Sequence, residues 1–372
     1  MTKKYTILAV IFIFALMPAY TTGFNKFTEQ ITVNLTNIGE LNINHPERVK
    51  ELTVNFSAYP KNYQSQKVTK FTCQPDCELK TNYSFFKVNP NTRFFRFKHT
   101  SLIKNELNHP NITKTADFPI PLTTIDKQNL TPFISPSGNI DSNNTQIKNT
   151  ASEIVQHSSN LNEAVFKLAK WTSTNVQYNL STLKQDVSKE SSWVLRNRQG
   201  VCDEITNLFI ALCRSVRIPA RYVSGISYTD SHLFERDWGP HSWAEVYFPE
   251  HGWVPYDVTY KQFGWTDASH IVFGKKLSSK QFGTSYSWKA HNTSGIAINP
   301  KEPLYETKIL DTSKLRKSEI NYSLNIIKKN IGAGSHNIAK INIFNNHNYY
   351  ETTRFKFVAT ESIYGLDKDD KT

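Results

Sequence analysis

The decisive stretch runs SWVLRNRQGVCDEITNLFIALCRSVRIPARYVSG from Ser192 to Gly225. It resumes as WGPHSWAEVYFPEHGWVPYDVTY from Trp238 to Tyr260. Cys202 opens a helical pattern, His241 opens a strand-like run, and Asp257 sits on the next strand-like run. A sulfur nucleophile, an imidazole to move its proton and a carboxylate to orient that imidazole are the parts of thiol chemistry.

Residues 201–216 read as the central helix. Ile205, Leu208, Phe209, Leu212 and Val216 recur at helical spacing and form one buried stripe, with Cys202 at its head. A thiolate at a helix start faces free N–H groups, which lowers a cysteine pKa. Gly200 lets the chain turn sharply into the helix and leaves room beside the sulfur. Cys213 lies three turns further on, about 16 Å along the axis. A disulfide needs Cα atoms closer than about 7 Å, so Cys213 reads as a core thiol. Pro219 ends the segment. Residues 221–228 alternate as a strand, and residues 229–239 form a polar loop at the rim of a cleft.

The hairpin from His241 to Tyr260 carries a register condition. With Glu250 and His251 alone as the loop, Pro249 opposes Gly252 and Asp257 faces Ala244, on the opposite ribbon face from His241. One extra loop residue or a bulge sets Asp257 opposite Trp243 or Glu245, on His241's face. The Trp243 register makes Asp257 a diagonal neighbour of His241. A catalytic pairing therefore requires an irregular turn around Pro249 to Gly252.

The segments Arg198-Gln-Gly-Val-Cys202, Leu208-Phe-Ile-Ala-Leu-Cys-Arg, Ile218-Pro-Ala-Arg, His241-Ser-Trp-Ala-Glu-Val-Tyr and Gly252-Trp-Val-Pro-Tyr-Asp257 follow one another in order. Together they resemble the transglutaminase-like superfamily, whose chemistry is similar to that of papain-type thiol enzymes. The resemblance covers most of residues 151–265. It implies an α+β fold, a nucleophile helix packed on an antiparallel sheet that carries the His and the Asp. It also implies Cys202 as nucleophile, His241 as base and acid, and Asp257 as orienting group. The implied reaction forms a thioester on Cys202 from a protein or peptide amide. Water resolves it in a protease or amidase, and an amine resolves it in a cross-linking enzyme. No cofactor and no metal are implied. The backbone N–H of Cys202 plus one upstream group would hold the oxyanion, with Gln199 and Trp193 as unassigned candidates. Relatives that carry a signal peptide and flanking β-sandwiches resemble prokaryotic surface proteins. The alternative is a non-catalytic surface-binding or adhesion protein on the same fold. A third reading makes Cys202 a buried core cysteine.

The chain divides around this core. A basic start (Lys3, Lys4), an apolar run from Tyr5 to Met17 and small residues to Gly23 read as a signal peptide over 1–23, or as an uncleaved anchor. Either places the protein outside the cell or at its surface. Residues 24–120 read as a β-sandwich, with Leu52, Val54 and Phe56 on one face of one strand and Phe95 and Phe97 on one side of another. Residues 121–150, rich in Pro, Ser, Asn and Thr, read as a linker. The catalytic domain is expected over 151–308, opening with a helical pattern over 151–174. His270 and His291 are isolated, with surface or structural roles as the default. A partial β-sandwich segment over 318–360 and a disordered charged tail over 361–372 complete the expectation.

The formal net charge of +12 suits contact with an anionic cell envelope. The lysines are spread along the chain rather than interleaved with aromatics, so nucleic acid is not an expected partner. Nine N-x-S/T sequons begin at Asn34, Asn55, Asn82, Asn111, Asn129, Asn143, Asn179, Asn292 and Asn321, consistent with a glycoprotein. Cys73 and Cys77 flank Gln-Pro-Asp and suit a small-loop disulfide. No second Cys or His pair lies nearby in sequence to make a metal site there.

Overall fold

The computed structural model describes residues 24–345, except 90, 113, 185–188, 280–283, 291–294, 314, 316–319 and 327–338. The expected leader over 1–23, the strand near 350–358 and the charged tail lie outside the described residues.

Alternating apolar residues build the first layer. Strands β1 (Gln30–Ile43), β2 (Val49–Phe56), β3 (Gln66–Gln74), β4 (Glu78–Leu79), β5 (Ser84–Val88) and β6 (Phe94–Glu106) form two sheets. Leu52, Val54, Phe56, Phe95 and Phe97 all point into the space between them, as their period of two requires. Cys73 and Cys77 are disulfide-bonded at the end of β3. Cross-strand pairing sets His99 opposite Cys73, so a histidine that is remote in sequence is adjacent in space. Folding adds one histidine to the two cysteines, not the second Cys or His pair whose absence from the sequence argued against a metal site. With the two sulfurs joined, their thiolates are not free to ligate.

The helical layer follows: α1 (Leu122–Lys127), α2 (Thr145–Val155), α3 (Leu161–Asn175), the short strand β7 (Gln177–Tyr178), α4 (Ser191–Asn197), β8 (Gln199–Gly200) and α5 (Cys202–Ser215). Residues 121–150 are therefore not a linker. Ile120, Ile125, Leu130, Ile140 and Ile147 are buried in the same core as α5. The Asn-rich text misleads because Asn144 is a helix cap: its side chain accepts the N–H of Gln146 at 2.9 Å. The helical pattern of 151–174 is likewise two helices, the second capped by Asn160, which accepts the N–H of Glu163 at 2.9 Å.

Strands β9 (Ala220–Tyr228), β10 (Trp238–Phe248), β11 (Gly252–Asp257), β12 (Gln262–Phe263) and β13 (Ile271–Lys276) form an antiparallel sheet in the order β12-β11-β10-β9-β13. Helix α5 packs on it and is buried from Glu204 to Arg214, on all sides rather than along one stripe. At its C-terminal end, buried Arg214 donates to the carbonyls of Ala220 (3.0 Å), Ser135 (2.9 Å) and Leu277 (2.7 Å). One guanidinium thus ties the helix to β9 and to two loops, with its charge spread over carbonyl dipoles.

The chain then returns to the first layer. Strand β14 (Thr284–Ala290) pairs with β2, while β15 (Ile298–Pro300) and β16 (Leu304–Thr312) pair with β1. These strands were expected to finish the catalytic domain and instead complete the sandwich. Sequence order misleads here because a sheet edge accepts any strand with matching alternation. The two layers share one core: Ile226, Ile271 and Phe273 of the β9–β13 sheet pack among the sandwich residues. Strands β17 (Ile320–Ile326) and β18 (Ala339–Asn345) form a separate antiparallel hairpin.

Gly225 of β9 faces His241 across the ladder. A Cβ there would sit 2.0 Å from the carbonyl oxygen of Ile271 and 3.0 Å from the Trp243 ring. Gly225→Ala is expected to lower stability by about 1–3 kcal/mol or more, because the obstruction is backbone. Thermal unfolding of the purified variant measures this.

Candidate active site

The hairpin between β10 and β11 meets the register condition. Ala244 pairs with Tyr256, Val246 with Val254 and Phe248 with Gly252, so three residues, Pro249 to His251, form the loop. Glu250 and Gly252 take the left-handed backbone this turn needs, at φ 66° and 79°. Continued by one step, the register sets Asp257 opposite Trp243. His241 and Asp257 then fall on one face, and His241 Nε2 bonds Asp257 Oδ2 at 2.6 Å. A regular two-residue turn would have separated them.

Asp257 is completely buried and fully satisfied. Its Oδ1 accepts the backbone N–H groups of Thr259 (2.8 Å) and Tyr260 (2.9 Å). Its Oδ2 accepts from His241 and also from His270 Nε2 at 3.0 Å. Burial opposes the charge, but the two histidines and their hydrogen bonds outweigh it, holding the carboxyl well below its ordinary range. The Tyr260 ring stacks on His241 with centroids 4.4 Å apart and planes 11° from parallel, which fixes the imidazole plane. With Nε2 engaged by the carboxylate, Nδ1 is the ring nitrogen of His241 that remains for a second partner.

Cys202 is the first residue of α5 and is half-buried. The first turn of the helix docks on β10, where Thr206 Oγ1 donates to the carbonyl of Ser242 at 3.2 Å. The sulfur lies beside Ser242, the residue after His241, and within electrostatic reach of Asp257. Burial and the negative charge of Asp203 push the thiol up to about 12, and hydrogen bonds to Ser242 only partly oppose this. The thiol thus lies above its ordinary range, where the helix start had suggested a lowered one. Gly200 also serves differently from the expectation. A Cβ there would meet Glu204 Cβ at 2.9 Å, so the space is kept for Glu204 and not for the sulfur. Buried Glu204 accepts the N–H of Val201 at 3.1 Å and that of Lys189 at 3.2 Å, fixing the entry to the helix. Cys213 is buried, and burial pushes its thiol up as well, in keeping with a core role.

Tyr178 is the upstream side chain that reaches Cys202, interacting with both its sulfur and its backbone. It lines one cleft together with His241, Tyr260 and residues of the 229–237 loop, including Leu233, Phe234 and Arg236. Gln199 is engaged elsewhere, accepting from Asn179 Nδ2 at 2.8 Å. Trp193 lies under the Lys189 ammonium. His270, given a surface or structural default in sequence, is buried in this site. His241, Asp257 and His270 present their ligand atoms within 4.8 Å of one another. Their direct nitrogen–oxygen hydrogen bonds describe a proton-sharing cluster. A metal would need ring nitrogens stripped of protons and bonds near 2 Å to each.

Residues 148–258 match the family described as the transglutaminase-like superfamily, and this segment of the chain is a transglutaminase-like core. The chain is 28% identical over 134 residues to the uncharacterized protein YebA of Bacillus subtilis; the match takes in 32% of this chain and 18% of that protein. The chain thus matches less than a fifth of the length of this curated relative. A solved structure from Cytophaga hutchinsonii, described as a candidate cysteine protease, is 16% identical with a TM-score of 0.59; the match covers 85% of this chain and 99% of that one. It shares the fold across the sandwich as well as the core. The periplasmic domain of TgpA from Pseudomonas aeruginosa is 13% identical with a TM-score of 0.32, over 60% of this chain and 88% of that one.

The cluster makes a pH prediction. The neighbouring Asp267 and Asp257 hold the His270 pKa up at about 10 against burial, from an ordinary value of 6.5. A raised folded pKa gives stability that is complete below about pH 6.5 and is lost as pH rises through about 10. Asp257, held low, contributes stability above its ordinary 3.8 that is lost as pH falls below it. The melting temperature should decline on both limbs, and His270→Gln should flatten the alkaline one.

Proposed function

We propose that the protein is an exported cysteine enzyme that forms a thioester on Cys202 from peptide amides and releases it mainly to water. The observation that carries this reading is the 2.6 Å bond from His241 Nε2 to a buried, ionised Asp257, with Cys202 docked beside the next residue of the same strand. His241 Nδ1 takes the proton of the Cys202 thiol as sulfur attacks the amide carbonyl. Asp257 fixes the tautomer and accompanies the transferred positive charge. The backbone N–H of Cys202 and the hydroxyl of Tyr178 receive the oxyanion, in the place that the sequence left between Gln199 and Trp193. His241 then protonates the departing amine, and the thioester remains. Water deprotonated by His241 attacks it, giving the carboxylic acid and the free thiol.

Hydrolysis is preferred to amine transfer because the cleft beside His241 has an open rim, with Leu233 and Phe234 exposed. The same apolar rim suits an extended peptide. Export is supported by the leader-like residues 1–23 and by the Cys73–Cys77 disulfide, which suits an oxidising compartment. Cell-envelope contact is a further part of this reading and rests on the basic charge.

The test uses casein as protein substrate and a fluorescent primary amine as competing acceptor. Wild type should cleave casein without the amine, and Cys202→Ala and His241→Ala should lose at least about a hundredfold in rate. Amine incorporation without cleavage would replace hydrolysis by cross-linking. Thiol-probe labelling that persists in folded Cys202→Ala would remove Cys202 as nucleophile.

A further inference from the structure

His270 lies outside the Cys202, His241 and Asp257 set, yet both of its ring nitrogens face carboxylates. Nε2 is 3.0 Å from Asp257 Oδ2 and Nδ1 is 3.1 Å from Asp267 Oδ1. A neutral imidazole has one donor and one acceptor, so one nitrogen would point a lone pair at a carboxylate oxygen. Either the ring carries two protons or one carboxyl is protonated. Asp257 Oδ1 already accepts two backbone amides. Asp267 accepts Gln262 Nε2 at 2.6 Å and the N–H of Ser269 at 2.8 Å, besides the Ser269 hydroxyl. Both carboxyl groups are thus surrounded by donors, which leaves the second proton on the ring.

We propose that His270 is a positioning residue, an imidazolium clamped between Asp267 and Asp257 that holds Asp257 ionised and aimed at His241. This rests on the reading of Cys202, His241 and Asp257 as a triad. The clamp is itself braced. Asn105 of β6 donates to the carbonyls of Ala268 (2.7 Å) and His270 (3.0 Å), so the sandwich holds the turn that carries the ring. Gln262 fixes Asp267 from both sides, since its Oε1 also accepts the Asp267 N–H at 2.9 Å. The His270 ring meets Trp243 edge to face at 5.0 Å and His241 at 5.6 Å. Charge bookkeeping is consistent. Two buried carboxylates and one imidazolium leave a single negative charge, which a proton arriving on His241 would neutralise.

The ionisable groups around the ring are Asp267 on its own turn, Asp257 on β11, His241 on β10 and Tyr260 beyond β11. Across a small polar cavity that His270 also lines stand Glu106, His251 and Tyr63, with Glu245 paired to Arg221 and Lys275. Glu245 with Arg221 and Lys275 keeps one positive charge in excess, which Glu106 on the same cavity offsets, and this leaves the two aspartates in direct contact as the determining neighbours.

Nuclear magnetic resonance of the full chain with 15N-labelled histidine decides the charge. The His270 ring should keep two N–H groups between about pH 6 and about 9, a span that contains the ordinary histidine value. Loss of these signals in His270→Gln assigns them. Asp267→Asn should bring the same ring into titration and serves if the first variant fails to fold. A neutral His270 ring at neutral pH overturns the proposal. The second readout is the pH profile of alkylation by iodoacetamide, located at Cys202 by mass spectrometry. Asp267→Asn and His270→Gln should slow it by on the order of tenfold at neutral pH and move the profile to higher pH, a loss typical of removing the hydrogen-bonded support of a working side chain. An unchanged profile in a folded variant overturns the positioning role. A wild type whose Cys202 reacts independently of His241 overturns the triad reading beneath it, while the ring signals still report the charge of His270 separately.

Discussion

The site depends on one buried carboxylate. Asp257 is out of water and charged, a state that would cost several kcal/mol if left unpaired. It is tolerated because two backbone amides and two imidazoles meet its oxygens. Each donor comes from a different constraint. The amides follow from the tight turn after β11, His241 from the hairpin register, and His270 from the turn before β13. Displacing any of these elements by one residue would strand the charge. The carboxylate therefore demands one arrangement of the sheet and penalises the alternatives.

The same logic explains why the sandwich and the transglutaminase-like core share an interior. Asn105 and Gln66 reach from the first layer to the backbone of β13 and its preceding turn, and Gln66 bonds both the N–H and the carbonyl of Val272, at 2.7 and 2.8 Å. The sandwich is thus part of the support of the site and more than a spacer. On the opposite face, α5 is fixed at its C-terminal end by Arg214 and at its start by Glu204, so Cys202 is held at both ends of its helix. Precision at the sulfur comes from these buried polar contacts, since apolar packing alone is less selective about orientation.

Much of this was legible in the sequence. The helical period of α5, the alternation in β2 and β9, and the order Cys202, His241, Asp257 are local signals set by neighbours within a few residues, whereas the burial of α5 on every side is not. The hairpin condition was also local, and the three-residue loop satisfies it. What escaped was long-range. Strands β14 to β16 alternate like those of any sheet, and nothing in them says which edge they join. His270 looked isolated because its partners lie at Asp257 and Asp267 and its meaning depends on a sheet closing. Asn144 was read as linker composition although it caps a helix, and Asn160 was read inside one helical pattern although it caps the second of two. The cysteine pKa was misjudged because the dipole is visible in sequence while desolvation is not.

In the proposed triad, His241, held by Asp257, makes the Cys202 thiolate. The most direct measurement is the ultraviolet absorbance of the thiolate as a function of pH in wild type and His241→Ala, each corrected with Cys202→Ala. The wild-type signal should form at distinctly lower pH, and without His241 the thiol should stay protonated until strongly alkaline conditions. Identical titrations in the two proteins would contradict it.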